Sequence, residues 1–211
     1  MRKLWLGTVA AVMACPLLAL PAAAAPCVTA SVATYEAAGF SCSVNGVTFS
    51  NIAVSTLGNV TLGNFTPFTQ GGEFGLTLNY LAVAGSSSNA DVAWSYNVAG
   101  SFLDDVYMAF TGTTTGTGTA SLSETLSNGV VLSLNSPGST SATFAPTASL
   151  GVIKDQADIA GTDGTSQTSI LTNAFSLTTP LPGALPLFAT GLLGFWGVRK
   201  RRRNQNSAVA A

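Results

Sequence analysis

The chain is 211 residues long, 47% hydrophobic and 8% charged, with a formal net charge of −1 and no histidine. The absence of histidine excludes the serine–histidine and cysteine–histidine nucleophile pairs and removes the commonest general base and zinc ligand. Seven of the eight Lys and Arg residues lie at the two ends, so the stretch 25–179 sets Lys154 against nine carboxylates, a net charge of −8. A surface of that sign has nothing with which to hold phosphates, which excludes nucleic acid as a partner.

From the amino terminus, Arg2 and Lys3 precede an apolar stretch over 4–20, then Pro21 and a run of alanines. This order of cationic start, apolar middle and small-residue exit predicts a signal peptide over 1–24, cut by signal peptidase after Ala24, with Ala22 and Ala24 as the small residues. The competing reading is an uncut amino-terminal anchor. The stretch 25–179 is of a length that suits one domain with one core.

Two cysteines remain there, Cys27 and Cys42. In an oxidising compartment a disulfide between them is the economical reading, and it would close a loop worth ~3 kcal/mol on chain-entropy grounds. Pairing between molecules is the alternative. Between the cysteines, the segment 32–39 favours a short helix stopped by Gly39.

The rest reads as β. Asn45-Gly46 between β-branched residues is a hairpin signal. Residues 73–84 alternate Phe74, Leu76, Leu78 and Tyr80 with smaller or polar partners, and 91–99 alternate Val92, Trp94, Tyr96 and Val98. Both patterns predict strands with one face in a core. Further candidates are 106–111, 120–126, 130–134, 142–144, 149–153 and 169–177, with a turn at Ser127-Asn128-Gly129. Eight to ten short strands with Gly, Asn and Ser turns predict an all-β, antiparallel, jelly-roll-like sandwich. The repetitive 111–119 is expected to be a flexible polar loop.

Three features inside this domain invite a chemical reading. Glu124 with Asp104 or Asp105 offers a carboxylate pair of the kind glycoside hydrolysis uses. The plainer reading places Glu124 on a solvent face and the two aspartates in a turn. Asp155, Asp158 and Asp163, with Gly161 and Gly164, offer oxygen ligands for calcium, against a simple solvated loop. Trp94, Tyr96, Tyr80 and Phe74 would make a carbohydrate platform if they faced out, but their alternation assigns them to the core.

The carboxyl end has three parts. Pro180, Leu181, Pro182, Gly183 and Ala184 form a proline-rich hinge. An uncharged apolar run comes next, with a single membrane helix expected over 185–198. Arg199, Lys200, Arg201, Arg202 and Arg203 close it. The prolines isolate the helix from the domain, the apolar run enters lipid, and the cation block resists translocation, together a stop-transfer signal. A helix from Ala184 to Val198 rises ~22 Å, short of the ~30 Å hydrocarbon core, which suits a signal held briefly and then cut.

This order resembles the PEP-CTERM sorting signal, and more closely its variant whose motif reads Val-Pro-Leu-Pro-Ala. Thr179 stands where that variant has Val, and Leu181 where the parent motif has Glu. The resemblance covers roughly the last 25 residues. It implies a substrate of an exosortase-type processing enzyme of a Gram-negative bacterium, recognised and cleaved around Pro180–Ala184. Such a chain is held transiently in the inner membrane and then delivered to the cell envelope, surface or medium. There the expected role is structural or adhesive, in contact with extracellular polysaccharide or biofilm, and not enzymatic. A calcium-assisted glycan-binding module is the alternative, and a carboxylate-dependent hydrolase stands behind it. No cofactor is expected other than calcium.

Overall fold

The computed structural model describes residues 24–178. The expected signal peptide up to its last residue, Ala24, and the expected hinge, membrane helix and basic block lie outside them. The described chain is β almost throughout, with strands β1 (Ala25–Pro26), β2 (Ala30–Ser31), β3 (Ser41–Val44), β4 (Val47–Leu57), β5 (Val60–Gln70), β6 (Glu73–Gly85), β7 (Asn89–Thr115), β8 (Thr119–Leu126), β9 (Val131–Leu134), β10 (Gly138–Ile159) and β11 (Thr165–Phe175). One short helix, α1 (Val32–Tyr35), starts at Ser31, whose hydroxyl caps the Thr34 amide. Gly39 takes a positive φ of 76° and turns the chain toward β3. Among the described residues no helix is long and apolar enough to cross a membrane.

All the strands belong to one hydrogen-bonded sheet. It curls over itself into two layers because β7 and β10 each pass from one to the other. The first half of β7 lies between β4 and the second half of β10, and β8 and β9 continue outward from β10. The second half of β7 lies between β11 and the first half of β10, and β6, β5 and β2 continue outward from β11. The crossing in β7 falls at Phe102, which takes a positive φ of 63°. In β10 it falls at register shifts around Thr147. Such irregularities are the ordinary means by which a strand bends from one layer into the next. The pairing is antiparallel with one correction: β1 runs parallel to β3.

The core sits between the layers. Trp94 of the first layer lies 5.1 Å from Phe65 of the second, and Tyr96 packs on both Trp94 and Phe49. Trp94, Tyr96 and Tyr80 are buried, and Phe74 packs against the same core, so they serve the interior and not an exposed platform. Cys27 and Cys42 are joined by a disulfide that ties the segment after β1 to β3.

Three expectations are corrected. The polar segment 111–119 is not a loop: β7 runs on to Thr115, a tight turn intervenes, and β8 begins at Thr119. Residues 154–159 belong to β10, and the turn comes only at 161–163. Residues 60–70, for which the sequence predicts no strand, form β5.

Candidate functional site

Glu124 is buried, not solvent-facing. It pairs across the β8–β10 ladder with Lys154, Oε2 to Nζ 2.5 Å, with both side chains fully out of water. Asp104 and Asp105 stand in β7 rather than in a turn. Asp105 accepts from the Ser176 amide at 2.8 Å and Asp104 from the Ser176 hydroxyl at 3.1 Å. The hydrolytic pair suggested by the sequence is therefore divided between the interior and the surface.

The calcium candidates are likewise not brought together. Asp155 points to solvent, Asp158 points inward three residues along the same strand, and Asp163 lies in the turn beyond. Asp158 accepts from the hydroxyls of Ser166 and Thr168, the latter at 2.6 Å. It is part of a buried polar cluster with Gln156 and Tyr80.

What the fold does assemble lies on the outer face of the second layer. The register places Phe68, Gly75, Ala174 and Tyr107 in one row across β5, β6, β11 and β7. Gly75 and Ala174 are buried although they face outward, because the two rings lean over them. The rings lie nearly parallel, at 7°, with centroids 6.1 Å apart, and both are partly open to solvent. A side chain at Gly75 is forbidden, since its Cβ would fall 1.9 Å from the Asn173 carbonyl oxygen. That closeness lets the rings meet across two intervening strands.

The neighbouring row adds polar chemistry. Gln70 pairs with Glu73 across β5 and β6, and both line a hollow of about 190 Å³ with Phe68 and Tyr107. Burial pushes the Glu73 carboxyl up to about 7, helped by the charge of Asp105, a hydrogen bond with it, and the charge of Asp104. A second hollow, of about 460 Å³, opens on the other side of Tyr107 toward Thr111, Pro137 and Ser139. The outer face of the first layer has a hollow of about 300 Å³ around Asn51, Ser95, Asn97, Gly151 and Ile153. It presents neither an open ring nor a charged group, so it supplies shape without the chemistry found beside Tyr107.

Sequence reasoning does not single out Phe68, Gln70, Glu73 or Tyr107. The available signal is Gly75, a glycine inside a strongly alternating strand, which marks a place where something approaches closely.

No protein-family model and no curated protein matches the chain. Among solved structures, the enzymatically active domain of tailspike protein 4 from bacteriophage CBA120 aligns at 10% identity and a TM-score of 0.26, over 57% of this chain and 19% of that one. The family 11 carbohydrate-binding module of Clostridium thermocellum, in complex with a β-1,3-1,4-mixed-linked tetrasaccharide, aligns at 10% identity and a TM-score of 0.27, over 65% of this chain and all of that one. Overlap at this level carries no inference about fold or function.

Proposed function

We propose that the chain is an exported surface protein, directed by its carboxyl-terminal signal to an exosortase-type enzyme. Its β-sandwich then serves an adhesive role by contacting a neutral extracellular glycan at Phe68 and Tyr107. The observation that carries the binding reading is the parallel, half-open aromatic pair beside Gln70 and Glu73. Pyranose rings present a C–H face that packs on aromatic faces and an edge of hydroxyls that seeks amides and carboxyls. Gln70 donates and accepts. Glu73, holding its proton to about pH 7, does the same, with Asp105 as an acceptor beside it. The net charge of −8 over 25–179 repels anionic polymers and leaves neutral ones as the favoured class.

The reading is of a binder and not a hydrolase. The hollow beside the two rings is lined by a single carboxyl, Glu73, whereas glycosidic cleavage uses two carboxyls set apart by the width of a bond or a water.

Titration calorimetry with neutral and acidic extracellular polysaccharides tests this reading. Phe68→Ala and Tyr107→Ala should each weaken binding of a neutral glycan about tenfold, the size of a lost stacking contact, with the melting temperature little changed. Undiminished binding in the folded double variant would overturn it.

A further inference from the structure

The interior holds a reactive arrangement that the glycan face does not use. Lys154 is the one cation in 25–179, and it is fully buried. Its Nζ lies 2.5 Å from Glu124 Oε2, and that same oxygen accepts from Asn173 Nδ2 at 3.2 Å. Asn173 Nδ2 also donates to the Tyr107 carbonyl at 2.8 Å, which fixes the amide with Oδ1 turned toward the Tyr96 hydroxyl that donates to it. All four side chains are buried. The second oxygen of Glu124, Oε1, is buried without a hydrogen-bond partner among the described residues.

A salt bridge alone requires only Lys154 and Glu124. Here an amine and a carboxamide converge on one carboxylate oxygen in the buried core, with a hydroxyl on the carboxamide oxygen. We infer that the fold joins Lys154 to Asn173 through a side-chain amide bond, with Glu124 carrying the protons.

The step balances without any other reactant. Lys154 passes a proton to Glu124 and becomes a neutral amine. Its lone pair attacks Cγ of Asn173, and the displaced electrons settle on Oδ1, which the Tyr96 hydroxyl stabilises as an oxyanion donor does. The intermediate collapses by breaking the Cγ–Nδ2 bond. Nδ2 takes the proton held by Glu124, Nζ returns one to the carboxylate, and ammonia departs. One carbon–nitrogen bond breaks and one forms, nothing is oxidised, and Glu124 ends protonated.

The surroundings favour each stage. Burial pulls the Lys154 amine below its ordinary value, partly countered by Glu124, so the neutral nucleophile is accessible. Burial, and then the nearby Glu124 charge, hold the Tyr96 phenol well above its ordinary value, so it keeps the proton it donates. Holding amine and carboxamide on one oxygen replaces an encounter with a fixed approach. The product exchanges a buried ion pair, which is expensive to desolvate, for a neutral amide and a neutral acid. Lys154 lies on β10 in the first layer and Asn173 on β11 in the second, so the bond staples the two layers together.

The test is mass spectrometry of the exported chain, with its termini set by terminal peptides. The expected result is a mass lower than the sequence of that span by one ammonia and by the two hydrogens of the Cys27–Cys42 disulfide, and a branched peptide linking the segments that hold Lys154 and Asn173. A mass that lacks only the two hydrogens of the disulfide would overturn the inference. So would an ammonia loss that maps to Asn45-Gly46 or Asn128-Gly129, where ring closure onto the backbone is the ordinary cause. Asn173→Asp should form the same bond with loss of water instead, and Glu124→Gln should leave the branched peptide absent. A linked Glu124→Gln chain would overturn the role given to Glu124. The wild-type mass decides the main point even where a variant fails to fold.

Discussion

Glu73 ties the chemistry of the outer face to the stability of the fold. Its carboxyl is pushed up to about 7 from an ordinary 4.5. Between those values the folded state binds more protons than the unfolded one, so stability falls as pH rises through that window and stays reduced above it. Asp91, raised to about 6 by burial and then by Asp155, adds the same sign over a lower window. Melting temperature should therefore drop from pH 5 to pH 8, and Glu73→Gln should flatten most of the upper part of that drop. A variant that keeps the wild-type profile would mean that Glu73 is not the group titrating. Residue by residue, the pattern of the chain holds more than its composition suggests. Ala120, Leu122, Glu124 and Leu126 share one parity, as do Leu150, Val152, Lys154, Gln156 and Asp158. Strict alternation with leucines already places Glu124 inside. The expectation that an isolated carboxylate faces water runs against that pattern, because the partner that makes burial possible lies thirty residues away on the neighbouring strand.

Strands are legible where their alternation is strong, as in β6 and the first half of β7, and the Asn45-Gly46 hairpin stands where its turn residues put it. The passage of β7 and β10 through both layers has no such signal. Glycine and proline at Gly100 and Pro146 read as breaks, whereas the paired neighbours carry the chain through as bends. β5 is hidden because Gly63, Asn64 and Pro67 lower its strand propensity, and its pairing with β6 supplies what propensity lacks. The amino-terminal elements depend on a different support. β1 and β2 are two residues each, and α1 is four, too short to stand alone. The disulfide closes the segment between cysteines 15 residues apart, with Tyr35 buried beneath it and donating to the Val28 carbonyl at 2.7 Å. Replacing both cysteines with alanine should lower the unfolding free energy by ~3 kcal/mol, read as an earlier urea midpoint. An unchanged midpoint would mean that burial of Tyr35 and Val32 holds the segment without the bridge.

At the scale of the whole chain, the distribution of charge bears on the proposed export. The cations are gathered at the two ends, and between them stands a nearly cation-free sandwich. If the ends are removed on export, what reaches the surface is a strongly anionic body that stays dispersed until it meets its polymer. That order of events depends on Arg199, Lys200, Arg201, Arg202 and Arg203 stopping translocation long enough for cleavage near Pro180–Ala184. Replacing all five with serine removes the stop while leaving the hinge and the apolar run intact. The expected outcome is a chain that crosses the membrane uncut, found outside the inner membrane at a mass that still includes the tail. The wild-type chain should instead begin near Ala25 and end near Pro180–Ala184. Normal processing of the serine variant would show that the cation block is not the brake. A wild-type chain kept in the inner membrane with Arg199–Arg203 still attached would make the tail a permanent anchor, and the sandwich would then work tethered to the membrane rather than released to the surface.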